Sequence, residues 1–317
     1  MSELHVVIGG TGGAGNAVVD ELIARGKRVR ATSRRPPAKD PRSVEWVDLD
    51  AQAAADVERA CAGAGVVYHC ANVPYSQWDR MLVPIADAIM SAAGKAGATL
   101  VVMDNLYMYG PVEGPITETT PHRPVGHKGR LRGELQTRYL SAHRAGKVKV
   151  TIGRASDFYG GTGLSAVTML VIDPVLQGRS ASWIARLDVL HTLSYLPDVG
   201  WGLVTLGEQP QALGDVWHLP AAEPLTGRQF ITMVCEAANK RTRTTTIGKP
   251  LMFVAGLFDS QIREALEVYY QWERPFVLDA SKFTRAFGSR ITPHAEAIAA
   301  TIGHRRRRLS AAHAWND

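Results

Sequence analysis

The sequence predicts an α/β fold with a doubly wound parallel sheet, and three observations carry that prediction. Short β-branched runs alternate with segments of helical period through the first half of the chain. These runs are continuously apolar rather than alternating, as strands covered on both faces must be. A glycine-rich stretch, "GGTGGAG" at residues 9–15, lies between the first apolar run and the first helical segment. The 317 residues, 45% hydrophobic and 21% charged, can bury a sizeable core in one large domain or two intimate lobes.

The elements follow in order. "LHVVIGG" is a strand, "AVVDELIARG" a helix, and "RVRATSR" and "VEWVDLD" are strands. The helical "DVERACAGA" leads to the strand "VVYHCA", and the long helical "MLVPIADAIMSAAGKAG" to the strand "TLVVMDN". The helix "GELQTRYLSAHRAG" and the run "KVKVTIGRAS" continue the rhythm to about residue 155. It then breaks into the glycine- and aromatic-rich "DFYGGTGLSAVTML" and "PVLQGRSASWIA". Insertions beyond strand ends are where such folds build substrate sites. "GRQFITMVCEAANK" and "DSQIREALEVYYQWE" are helical stretches of a smaller, mostly helical lobe at the carboxyl edge of the sheet. The expected division is 1–155 with about 187–220 as the domain of the sheet and the glycine stretch, about 156–186 with 221–304 as a substrate lobe, and 305–317 as a basic tail.

Composition excludes several classes. The net charge of +6 includes the run Arg305 to Arg308, without which the balance is about +2. No basic helix with interleaved aromatics and no zinc spacing supports nucleic-acid binding, so the run reads as a solvated tail. The N-terminal segment lacks the pattern of a secretory signal and no segment stays apolar long enough to cross a membrane, which places the expected location in the cytoplasm. Cys61, Cys70 and Cys235 stand at no metal or redox spacing and read as reduced core residues. No metal site and no Gly-x-Ser-x-Gly elbow is present.

The glycine stretch follows a strand and opens a helix, the context in which it binds a dinucleotide. Gly9 permits a tight turn, Gly12 admits a pyrophosphate to the backbone, and Gly15 lets helix and strand approach; Thr11, Gly13 and Ala14 complete the loop. The phosphates would meet unpaired N–H groups at the helix N-terminus. The second strand ends in Ser33, Arg34 and Arg35, where an NAD site would offer a carboxylate to the ribose. An arginine fork grips a 2′-phosphate, so NADP(H) is the expected cofactor. Asp48 and Leu49, ending the third strand, would border the adenine.

With these motifs in order, the chain resembles the extended branch of the short-chain dehydrogenase/reductase superfamily, the NAD-dependent epimerase/dehydratase family. Gly9, Gly12 and Gly15 match its glycine motif, "VVYHCAN" its fourth-strand motif, and "LYMYGPVEGPITETTPHRP" its Tyr-Gly loop; "GRASDFYG" and "HTLSYLPDVGWGLVTL" resemble later segments that shape the substrate site. The resemblance implies a Rossmann sheet, Ala71 and Asn72 beside the cofactor, a small-molecule substrate, and a homodimer through helices flanking the sheet. The family's catalytic trio is a Ser or Thr on the fifth strand followed by Tyr-x-x-x-Lys. Alignment on the Tyr-Gly puts Asn105 at the hydroxyl position, and alignment on Glu134 puts Gly126 at the tyrosine and Arg130 at the lysine. The chain is therefore an atypical member. Arg130 would reach the nicotinamide ribose, with Lys128, Arg132 and His127 pointing into solvent. Tyr107 and Tyr159 are candidate proton donors, Asn105 a donor to a substrate carbonyl, and Asp104, Tyr109, Asp157 and Tyr195 candidate substrate contacts.

The expected function is an NADP(H)-dependent oxidoreductase acting on a small carbonyl or alcohol, sugar-like or a secondary metabolite. An epimerase, dehydratase or isomerase without net redox change is the alternative within the fold. Loss of the trio motivates a third, a non-catalytic NADP(H)-responsive binding protein.

Overall fold

A computed structural model describes residues 3–163, 165–241 and 243–313, with side chains described as far as Arg307. The chain runs β1 (Leu4–Ile8), α1 (Gly13–Ala24), β2 (Arg28–Ser33), β3 (Val44–Asp48), α2 (Ala54–Cys61), β4 (Ala64–His69), α3 (Trp78–Lys95), β5 (Thr99–Asp104), α4 (His127–Arg144) and β6 (Lys149–Arg154). It continues through β7 (Asp157–Tyr159), α5 (Asp173–Leu176), β8 (Ala181–Ile184), β9 (Leu190–His191), β10 (Leu193–Tyr195), α6 (Leu196–Glu208) and β11 (Val216–His218). The last part is β12 (Leu225–Thr226), α7 (Gly227–Ala238), β13 (Thr244–Ile247), α8 (Lys249–Gly256), α9 (Ser260–Ala265), α10 (Ser281–Phe287) and α11 (His294–His313).

Seven strands form one parallel sheet in the order β11-β6-β5-β4-β1-β2-β3. The order reverses at β1, which opens a crevice above the carboxyl ends of β1 and β4. Both faces of the sheet are covered. Apolar residues of α2, α3 and α4 close one face, with Val57, Leu82, Ile89 and Leu135 in a single core. Those of α1 and α6, including Val18, Leu22, Val199 and Leu203, close the other. Small side chains let α1 and α6 approach: a Cβ on Gly200 would lie 2.5 Å from the Ala17 carbonyl oxygen.

The smaller lobe has its own core, where Tyr159, Trp183, Phe230 and Trp272 meet Ile298 and Ile302 of α11. Three two-stranded ladders, β7 with β10, β9 with β12 and β8 with β13, tie its segments together. Helix α7 starts at a full capping box in which Thr226 and Gln229 bond reciprocally, and it ends on left-handed Asn239.

Two expected boundaries are corrected. Helix α10 falls inside the range assigned to the substrate lobe, yet Phe283 and Phe287 pack with Trp201 and Trp217 against the large sheet. The arginine run is only in part a solvated surface, because α11 continues through it and Arg305 turns inward. Arg305 is buried and pairs with Asp173, its Nε donating to Oδ1 over 2.8 Å, and Arg306 donates to the Ala238 carbonyl. Arg307 is exposed, while the Arg308 side chain and residues 314–317 lie outside the described part.

Candidate active site

A cleft of about 1630 Å³ runs over the carboxyl ends of the strands, from the tip of β2 across the glycine loop to the smaller lobe. Single-ligand pockets are commonly about 300–1,000 Å³, so this one has room for a dinucleotide and a second molecule. At one end the loop is shaped by glycine. Gly9 has φ +89°, and a Cβ there would stand 2.8 Å from Ala71 of the next chain segment. A Cβ on Gly15 would lie 2.1 Å from the Gly9 carbonyl oxygen. Helix α1 starts at Gly12 with no side-chain cap and no acid in its first turn, leaving its N-terminus available to an anion.

Gly9, Thr11, Gly12, Gly13, Ala14, Ser33, Arg34, Arg35, Leu49, Ala71 and Asn72 all line this cleft. Thr11 and Ser33 are joined hydroxyl to hydroxyl at 2.8 Å, and the Ser33 Oγ accepts the Arg35 backbone N–H. Gly15 lies beneath the loop, outside the lining. Asp48 is exposed and also outside it; Asp50, two residues on, takes the place at the wall.

At the other end, Asp104, Asn105, Tyr107 and Asp157 line the cleft. The Asn105 Oδ1 accepts the Tyr107 backbone N–H over 3.1 Å, fixing the turn that presents the phenol. Tyr107 and Tyr75 hydroxyls are 2.6 Å apart. Burial, reinforced by Tyr75 and Asp157, pushes the Tyr107 phenol far above its ordinary range, and burial also raises Tyr75. Both stay protonated at neutral pH. Asp157 Oδ2 is 2.8 Å from Nε2 of His191, a ring stacked on Trp272 with centroids 4.2 Å apart.

Besides Gly15 and Asp48, four further expected site residues are elsewhere. Arg130 is exposed and outside the cleft, a correction of the register counted from Glu134. The inward pair, four residues apart on α4, is Lys128 and Arg132, neither of which points into solvent. Lys128 is 2% exposed and pairs with Glu264, while its backbone N–H is capped by Glu267 over 2.9 Å. The Arg132 guanidinium lies 4.3 Å over Trp78 and 3.4 Å from an Asp104 oxygen. Tyr109 faces away from the cleft. Its hydroxyl accepts from Arg154 over 2.7 Å and donates to Nε2 of His218, whose Nδ1–H donates to the Asp279 carbonyl. Burial, with Arg154 nearby, drives His218 down to about 3, so it is neutral and acts as a structural acceptor. Tyr159 is fully buried and bonds His294, and Tyr195 packs on the Tyr159 ring; neither lines the cleft.

Arg154 also donates to Asp104 over 3.0 Å and to Gln136, so Asp104 is held by two guanidinium groups. Residues absent from the sequence reading are Tyr75, Trp78, His69 and the inward face of α4. His69 ends β4 in the cleft wall, and burial beside Arg132 lowers it to about 3. The signal for α4 was present in Leu131, Leu135 and Tyr139, the apolar residues that mark its buried face. Tyr75 carried none, because only the fold brings it to Tyr107. His127 is half exposed and pairs with Asp79 over 2.8 Å. Among the described residues no group of three or more His, Cys, Asp or Glu is placed to hold a metal, and no helix is long and apolar enough to cross a membrane.

Solved structures of similar fold include a UDP-glucose 4-epimerase from Thermotoga maritima in complex with UDP-glucose, at 17% identity and TM-score 0.78, covering 96% of this chain and 99% of that one. A UDP-glucuronic acid 4-epimerase from Bacillus cereus in complex with NAD gives 14% identity and TM-score 0.80 over 96% of this chain and 99% of that one. A dTDP-glucose 4,6-dehydratase from Streptomyces venezuelae with NAD bound gives 17% identity and TM-score 0.77 over 97% and 98%. No curated protein sequence matches the chain significantly. The model of the NAD dependent epimerase/dehydratase family matches residues 5–218, most of the chain and all seven strands of the large sheet. The chain belongs to the NAD-dependent epimerase/dehydratase family.

Proposed function

We propose that this protein is an NADP(H)-dependent oxidoreductase that interconverts a small carbonyl compound and its alcohol. One observation carries the reading: a single cleft joins the glycine loop, the Arg34–Arg35 pair and a protonated phenol. The glycine cradle and the uncapped α1 terminus fit a dinucleotide pyrophosphate. Ser33, Arg34 and Arg35 would hold the 2′-phosphate, a site where a carboxylate would repel it. Leu49, Ala71 and Asn72 would flank the cofactor. When bound, a nicotinamide dinucleotide supplies hydride chemistry.

The chain's own residues handle the oxygen. Tyr107 gives its proton to the developing alkoxide, the Tyr75 hydroxyl at 2.6 Å passes one on to Tyr107, and water returns one to Tyr75. The Asn105 amide oxygen is occupied by the Tyr107 N–H, which leaves its NH₂ free to donate to the substrate carbonyl. Arg132, paired with Asp104 and stacked on Trp78 whose indole stacks on Tyr107, orders the wall behind the phenol.

Family membership favours a second reading, an epimerase, dehydratase or isomerase that returns its cofactor unchanged. Following NADPH absorbance with a panel of aldehydes and ketones separates the two. Net NADPH loss, abolished by Tyr107→Phe, supports the oxidoreductase; substrate conversion at constant NADPH supports the second reading. Cofactor binding without any turnover would leave a binding protein.

A further inference from the structure

We propose that the half of the cleft beyond the cofactor takes an uncharged, apolar carbonyl or alcohol rather than a nucleoside diphosphate sugar; the proposal deepens the oxidoreductase reading and rests on it. A diphosphate needs cations or free helix N-termini to replace its hydration. Among the described residues lining the cleft the cations are Arg34, Arg35 and Arg132. The first two stand at the tip of β2, beside the loop that would hold the cofactor's own phosphates. Arg132 is already paired with Asp104 and stacked on Trp78. The anions facing that half are Asp104, held by Arg132 and Arg154, and Asp157, bonded to His191, so a diphosphate there would find no uncommitted cation in the lining of that half. Lys249, in the first turn of α8, stands 5.9 Å over the Tyr269 ring and is outside the lining.

What the lobe offers instead is hydrocarbon. Met169, Leu170, Ile184, Ile247, Leu251 and Ile262 come from five separate segments and converge on the same space. Burying apolar ligand surface against such a wall is favourable at about 25 cal/mol per Å². The mouth continues this character: Met169 and Leu251 line the cleft and are also 53% and 59% exposed. On α8 and just past it, Phe253, Val254, Leu257 and Phe258 are exposed as well. An apolar rim of this kind keeps a hydrophobic molecule in contact from surface to interior, while the unpartnered Ser156 Oγ and Gln271 Oε1 in the lining can take a carbonyl or hydroxyl of the ligand.

The test is calorimetric titration of the full-length protein, with and without NADPH, using 2-acetylnaphthalene and UDP-glucose as probes. Saturable binding of the ketone is expected, weakened about tenfold by Leu251→Asp or Met169→Asp, with no saturable binding of UDP-glucose. Both residues are exposed at the mouth, so the variants should fold, which a melting curve checks. Saturable UDP-glucose binding, no ketone binding, or ketone binding indifferent to both substitutions in folded protein would overturn the proposal. A failure to bind NADPH would instead remove the oxidoreductase reading, while the titrations without cofactor would still decide between the two ligand chemistries.

Discussion

Tyr107 faces the cleft, carries its proton at neutral pH and lies 2.6 Å from a second phenol; burial weakens it as an acid, so its donation rests on an alkoxide being the stronger base. General acid catalysis contributes about 10²–10⁴-fold, so Tyr107→Phe should lower kcat by at least about 10²-fold while NADPH affinity stays unchanged. Tyr75→Phe should cost less, because solvent can replace the relay; equal losses would mean that the pair works as one unit. Steady-state kinetics with separate cofactor titrations read both. Tyr107 could be named from its place after the fifth strand. Arg132 could not be separated from Arg130 by counting from Glu134, because Glu134 is exposed and nothing fixes its angular position. A two-residue slip turns a helical side chain by about 200°, so the count selected the solvent face.

At the scale of elements, the start of α4 is held by the smaller lobe. Lys128 reaches Glu264 of α9, Glu267 caps the α4 backbone, and the Gln261 side chain accepts the Tyr75 backbone N–H over 2.8 Å. These bonds press α9 onto the segments that carry Tyr75 and Arg132. Lys128 is buried while Glu264 and Glu267 are about a third exposed, which makes the pair asymmetric. Glu264→Ala leaves a buried ammonium with only Glu267 at 3.8 Å and should destabilise by about 3 kcal/mol. Lys128→Met leaves two carboxylates that water can reach and should cost less; urea unfolding of both variants measures the difference. The inner strands β1, β4 and β5 were legible because a parallel strand covered on both faces is nearly continuously apolar, and β2 and the edge strand β3 from their β-branched residues and their place between turns and helices. Helix α10 was not assigned to its layer, since Phe283 and Phe287 at spacing i, i+4 would bury equally well against the sheet or the smaller lobe. The latch was invisible because it joins residues 128 and 264, whose proximity only the assembled fold creates.

For the molecule as a whole, His69 and His218 couple stability to pH. Burial holds both near 3 in the folded state, against 6.5 as the ordinary value, so between these limits the unfolded chain binds more protons. Their stabilising contribution is full above about pH 6.5 and falls progressively as pH drops toward 3. Melting temperature should therefore decline below pH 6.5, with a shallower decline in His69→Gln; an unchanged pH slope in that variant would exclude His69 as a cause. Across the molecule, the glycine-loop end of the cleft was readable from the sequence, because glycines and strand-end residues have positions set by local backbone geometry. The substrate half was not, since its wall is assembled from segments far apart in the chain. The deciding measurement is calorimetric titration with NADPH and NADH of the unaltered protein and of Arg34→Ala. NADPH should bind more tightly than NADH, and the substitution should weaken NADPH by about tenfold or more with little effect on NADH. Equal or tighter binding of NADH, or an Arg34→Ala variant that still prefers NADPH to the same degree, would contradict the phosphate grip on which the NADP(H) reading depends.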